Sequence, residues 1–116
     1  MSYIDGFLLA VPAESKAGYR KMADTTSAVI KEHGASRVIE GWGDDVPEGK
    51  VTDFRMAVKA AEGEVVVFGW IEWPSKAVRD EGMKNVMEDP RMQIMRELPI
   101  DGQRMIFGGF EVLLDV

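Results

Sequence analysis

Residues 65–73 read Val-Val-Val-Phe-Gly-Trp-Ile-Glu-Trp, and Pro74 follows them. The run is rich in β-branched and aromatic side chains, as strands are, and the proline stops it. Both alternating sets are apolar: Val66, Phe68 and Trp70 on one side, Val65, Val67 and Ile71 on the other. A strand with two apolar faces must be covered on both. Its single carboxylate, Glu72, stands among these apolar residues and is the first polar side chain to follow.

Working outward, residues 3–11 predict a first strand, with Tyr3, Asp5, Phe7, Leu9 and Val11 facing one way and Ile4, Leu8 and Ala10 the other. After Pro12, Ser15 is the expected N-cap of a helix in which Tyr19, Met22, Val29 and Ile30 recur at helical spacing, closed by His33-Gly34. Residues 37–42 predict a second strand. An acidic, turn-rich loop follows, and residues 54–60 fit either an extended segment or one short helix capped by Thr52 or Asp53. Beyond the 65–73 strand, Ser75 is placed to cap a second long helix, with Val78, Met83, Val86 and Met87 on its buried stripe and Lys76 and Arg79 on a solvated face. Asp89-Pro90 ends it. Residues 91–102 read as irregular, and residues 104–114 as a last strand, apolar on both faces.

The order strand, helix, strand, strand, helix, strand is the split βαβ pattern of a ferredoxin-like α+β domain, here a single domain over residues 1–116. Its two helices cover one face of the antiparallel sheet. The other face is also apolar, over more area than monomers usually leave open, so a second copy packed face to face is expected.

With 116 residues and a hydrophobic fraction of 46%, the chain is long enough to bury roughly two thirds of its unfolded surface. The net charge of -6, with Lys and Arg dispersed among acids, argues against a nucleic-acid partner. Cysteine is absent, which excludes disulfides, thiolate nucleophiles and cysteine-based zinc sites. The first residues lack the basic and apolar regions of a secretory leader, and no apolar run approaches a bilayer span, so a cytoplasmic protein without membrane contact is expected.

Several segments resemble the YbaA-like family of bacterial proteins of unknown function, within the dimeric α/β-barrel superfamily. They are Tyr3-Ile4-Asp5-Gly6-Phe7, residues 40–47 (Glu-Gly-Trp-Gly-Asp-Asp-Val-Pro), residues 49–55 (Gly-Lys-Val-Thr-Asp-Phe-Arg), Phe68-Gly69-Trp70-Ile71-Glu72-Trp73-Pro74, Asp89-Pro90-Arg91-Met92 and residues 105–111 (Met-Ile-Phe-Gly-Gly-Phe-Glu). The resemblance runs nearly end to end. It implies the ferredoxin-like protomer and a face-to-face homodimer, and brings no reaction, cofactor or catalytic residues. Relatives often carry cysteine at the position of Gly41, so thiol chemistry does not transfer to this chain.

In the predicted topology Asp5, Glu72 and Glu111 reach one edge of the sheet, with Arg37 near Glu72 and His33 delivered by the first helix. As candidate catalytic residues these five form an acid cluster with basic partners, able to raise a carboxylate pKa. The bland reading is strand-end polarity and surface ion pairs. Trp42, Trp70, Trp73, Phe7, Phe68 and Phe110 are candidates to line an apolar ligand cavity, against the plainer reading of core and interface. Asp44, Asp45, Glu48 and Asp53 do not follow calcium-loop spacing, so neither a metal nor a cofactor is expected. The leading functional expectation is a homodimer holding a small organic molecule between sheet and helices. A cofactor-independent oxygenase or isomerase and a purely structural dimeric module are the alternatives.

Overall fold

A computed structural model describes residues 2–116. Strands β1 (Tyr3–Pro12), β2 (Arg37–Trp42), β3 (Glu64–Trp73) and β4 (Ile106–Glu111) form an antiparallel sheet in the order β2-β3-β1-β4. Helix α1 (Lys16–Glu32) joins β1 to β2, and α3 (Lys76–Glu88) follows β3. The order is that of the ferredoxin-like fold. Between β2 and β3, residues 54–57 form the short helix α2 (Phe54–Ala57), which resolves the choice left open for this stretch. Asp53 decides it: its carboxylate accepts from the backbone N–H of Met56, as an N-cap does. The loop acid Asp53 is therefore a cap, and its carboxyl is held below the ordinary range first by that bond.

Pairing sets the two faces. Asp5 stands opposite Ile71, Phe7 opposite Gly69 and Leu9 opposite Val67, so these residues share the side on which α1 and α3 lie. There Tyr3, Val29, Ile30, Ile71, Trp73 and Val86 make one buried cluster, and Leu9, Val11, Tyr19, Met22 and Val67 make another. Helix α1 ends as expected: His33 is its C-cap, and Gly34 follows at φ 117°, a conformation that favours glycine. Ser75 caps α3 by accepting from the Val78 N–H.

Two expectations for α3 are corrected. Met87 is exposed, because the helix seats on Trp73 through Gly82 and Val86, and its last turn carries Met87 off that contact. Arg79 is not on a solvated face. It reaches over the Tyr3 ring and donates from Nε and Nη2 to Asp5, which is buried and also accepts from Trp73 Nε1 at 2.9 Å. The mechanism is a clamp: one carboxylate in the apolar layer is fully paired, and the pairing fastens α3 to β1 and β3. The remaining differences are at the C-terminal end. Residues Pro90–Glu97 form a 3-10 helix started by Asp89, where irregular chain was expected, and β4 is shorter than residues 104–114.

Removing the clamp leaves a guanidinium and an indole N–H partly buried without their acceptor. Asp5→Ala is expected to cost about 3 kcal/mol in urea unfolding. Asp24→Ala, which breaks the exposed Arg20–Asp24 pair, should stay within about 0.5 kcal/mol. Equal, small losses in both variants would contradict the clamp.

Candidate functional site

Two features of the sheet lie outside the ordinary core. The first is the face that α1 and α3 leave uncovered. It carries Ile4, Leu8, Phe68, Trp70, Ile106 and Phe110, which line an open trough of about 490 Å³. Phe68, Ile106 and Phe110 are each about half exposed or more. Helix α2 and the residues after it cover one end of this face, where Val58 packs on Ala10 and Val66, and Phe54 meets the Phe68 ring edge-on. At the opposite end Arg37 faces Glu72 across the β2–β3 ladder, and Glu72 accepts a 2.9 Å hydrogen bond from Trp70 Nε1.

The second feature lies on the helix side. Glu40 is in β2, opposite Gly69, and so points under α1 with Val38 and Trp42. Its carboxylate accepts from the Tyr19 hydroxyl of α1. Tyr19 packs against Trp42, and the Lys16 ammonium lies over the Trp42 ring, 5.5 Å from its centroid. In the next position of the same row, the tip of the Phe7 ring covers Gly69, leaving no space for a Cβ there. Burial pushes the Glu40 carboxyl above its ordinary range, against the opposing pull of the Tyr19 bond. The Tyr19 phenol is pushed up as well, first by burial and then by the bond to Glu40. The pair sets a carboxylate acceptor and a phenol hydroxyl side by side among aromatic rings.

The five acid-cluster candidates come to the predicted end of the sheet, yet they do not converge. Asp5 and Glu111 belong to the helix side and Glu72 and Arg37 to the open side, because Ile4, not Asp5, is the partner of Glu72. Asp5 is spent on the Arg79 clamp and Glu111 is exposed. His33 bonds Asp89 through Nε2 at 3.1 Å, tying the end of α1 to the end of α3. The aromatic candidates divide in the same way. Phe68, Trp70 and Phe110 are on the open face, Phe7 and Trp42 flank Glu40, and Trp73 is core at 1% exposure. The carboxylate with a raised pKa is thus Glu40, which the sequence reading passed over. Its signal was available: parity along Val38-Ile39-Glu40-Gly41-Trp42 sets one acid on the face shared by a valine and a tryptophan. Among the described residues no group of three or more acids and histidines is arranged to hold a metal ion, and no helix is long and apolar enough to cross a membrane.

Sheet order, crossovers and an uncovered sheet face define the ferredoxin-like α+β class. Solved structures agree. A dimeric ferredoxin-like protein from an uncultured marine organism matches with a TM-score of 0.60 over 100% of both chains at 10% identity. SnoaB, a cofactor-independent oxygenase from Streptomyces nogalater, matches with 0.51 over 99% of this chain and 94% of its own at 12% identity. At such identities the likeness speaks to fold. Within that class the chain belongs to the family described as protein of unknown function (DUF1428), whose model matches residues 2–102. It is 58% identical over 116 residues to the uncharacterized protein YbaA of Escherichia coli K12, covering 99% of each chain, and equally to that of Shigella flexneri.

The Glu40 environment has a pH signature. A carboxyl whose pKa is higher folded than unfolded binds its proton more tightly in the native state. Its contribution is therefore complete below the unfolded value near 4.5 and is lost as pH rises through the raised native value. Glu40→Gln keeps an acceptor for Tyr19 and cannot ionise. The variant should match the wild type in urea unfolding near pH 4 and exceed it near pH 8. A variant that is less stable at both pH values by the same amount would contradict this environment.

Proposed function

We propose that the protein is a cytoplasmic homodimer, joined through its helix-free sheet faces, that holds a small organic molecule between α1 and the sheet at Tyr19 and Glu40. The observation that carries this reading is the Glu40 carboxyl, held under α1 by the Tyr19 hydroxyl and bordered by Phe7 and Trp42, with its pKa raised by burial. Such a site suits a ligand with a flat or apolar body and one carbonyl or hydroxyl group. The rings supply contact area, and the Glu40–Tyr19 pair supplies a donor and an acceptor. Groups with perturbed pKa values concentrate at functional sites, which adds to the reading. The exposed apolar trough on the other face supports the dimer. The dimeric description of the ferredoxin-like neighbour is consistent with it.

The same pair also favours a second reading, a cofactor-independent oxygenase or isomerase in which Glu40 and Tyr19 move a proton on the bound molecule. The test serves both. A thermal-shift screen of aromatic and aliphatic oxo and hydroxy compounds should yield a ligand that raises the wild-type melting temperature, with the shift lost in Glu40→Gln and reduced in Tyr19→Phe. Turnover of that compound by the wild type, absent in Glu40→Gln, selects the enzyme. Failure of every compound, or hits that ignore both substitutions, returns the protein to a purely structural dimer.

A further inference from the structure

The uncovered sheet face has a side-chain order that reads as its own complement. Across the sheet, from β2 to β4, one row runs Ile39, Trp70, Gly6, Gly108. It is two large residues followed by two without side chains. The two glycines cut the trough, and glycine weakens the interior of a strand. The protomer gives no reason for them. A Cβ at Gly6 would meet only the Phe110 ring, at 3.6 Å, and one at Gly108 only the same ring, at 3.7 Å, both ordinary contacts. Neither glycine has a positive φ. The contrast within the sheet is sharp: a Cβ at Gly69 would lie 2.3 Å from Phe7, and one at Gly109 2.4 Å from the Tyr3 hydroxyl. Gly69 and Gly109 are required by their own chain, whereas Gly6 and Gly108 are not. A glycine inside a strand accompanies a bulge, a bend or the close approach of something else, and the unbroken β1–β4 register through Gly6 and Gly108 leaves no bulge here.

From this row we infer that the occupant of the Gly6–Gly108 trough is Trp70 of a second copy, and that the two-fold axis of the dimer runs parallel to the strands between β3 and β1. This inference rests on the sheet-face dimer proposed above and specifies its register. A two-fold axis in that position exchanges β3 with β1 and β2 with β4. The row large, large, small, small then meets itself read backwards. Trp70 of one copy stands over Gly6 of the other, Ile39 stands over Gly108, and the reverse contacts form by symmetry. Packed sheets lie about 10 Å apart, a gap that an indole on one sheet fills only where the facing sheet has no side chain. The neighbouring row Gly41, Phe68, Leu8, Ile106 obeys the same operator, which sets Gly41 against Ile106. Within each protomer the Trp70 ring meets Phe68 edge-on and is tied through Nε1 to Glu72, so its position on the face is fixed.

Two substitutions and their combination test the register by sedimentation equilibrium, with circular dichroism and a cooperative melt confirming the folded protomer. Gly6→Leu fills the trough, and Trp70→Ala removes the knob. Each should raise the dimer dissociation constant by at least about tenfold. The double variant Gly6→Leu/Trp70→Ala places a leucine where the indole lay and should recover most of the loss. An equimolar mixture of the two single variants should form a heterodimer more tightly than either variant pairs with itself. A wild-type dimer that is indifferent to both substitutions, or a double variant weaker than either single one, overturns the register while leaving the dimer standing. A small molecule as occupant would give that indifferent result, with ligand binding lost in Gly6→Leu. A wild type that sediments as a single chain overturns the dimer itself, and the register with it.

Discussion

A central strand that is apolar on both faces is the constraint on which this structure depends. β3 lies between β2 and β1 and carries Val67, Ile71 and Trp73 toward the helices and Val66, Phe68 and Trp70 away from them. The two long helices, each following one strand of a parallel pair that is not adjacent in the sheet, pack on a single side of it. Helix α2 adds partial cover at one end of the other side, through Val58. The rest of that face remains an exposed apolar surface, a mismatch between what β3 requires and what the helices reach.

Polar groups on the helix side are handled in two ways. Asp5 is surrounded by donors from Arg79 and Trp73, so its charge is compensated and its task is to hold α3 on the sheet. Among the described residues Glu40 has one side-chain donor, a phenol, and no cation bonded to it. Burial therefore raises its pKa. The compensated carboxylate fastens a helix to the sheet, whereas Glu40 is held by a single neutral donor. The same contrast appears at the sheet's other end, where Glu64 takes two bonds from Arg104 and its carboxyl is held down at about 2.

The strands, the two long helices and the uncovered face were legible from periodicity because side chains alternate between the two faces of the sheet, as β3 shows by burying Val67, Ile71 and Trp73 against the helices while Phe68 stays exposed. Ser75 and His33-Gly34 were legible as caps because capping depends on local chemistry. Three features were not. Arg79 looked like a surface residue since its helix is polar around it, and only the register that brings Asp5 beneath α3 reveals the pair. The acid cluster failed because residues at one end of a sheet can occupy opposite faces, as Asp5 and Glu72 do. Glu40 was missed for a related reason. Its significance lies in Tyr19, 21 residues earlier, and in the Phe7 ring lying across Gly69, contacts that a linear reading does not join.

The central claim is that the helix-free face is covered by a second copy of the chain. Small-angle X-ray scattering over a dilution series into the low micromolar range tests it without substitutions or ligands. The account predicts a forward-scattering mass of twice the 12.9 kDa chain, and a flattened two-layer particle becoming thicker than the 22 Å short axis of one protomer. A mass of one chain throughout, with a radius of gyration near the protomer's 14.6 Å, would contradict it.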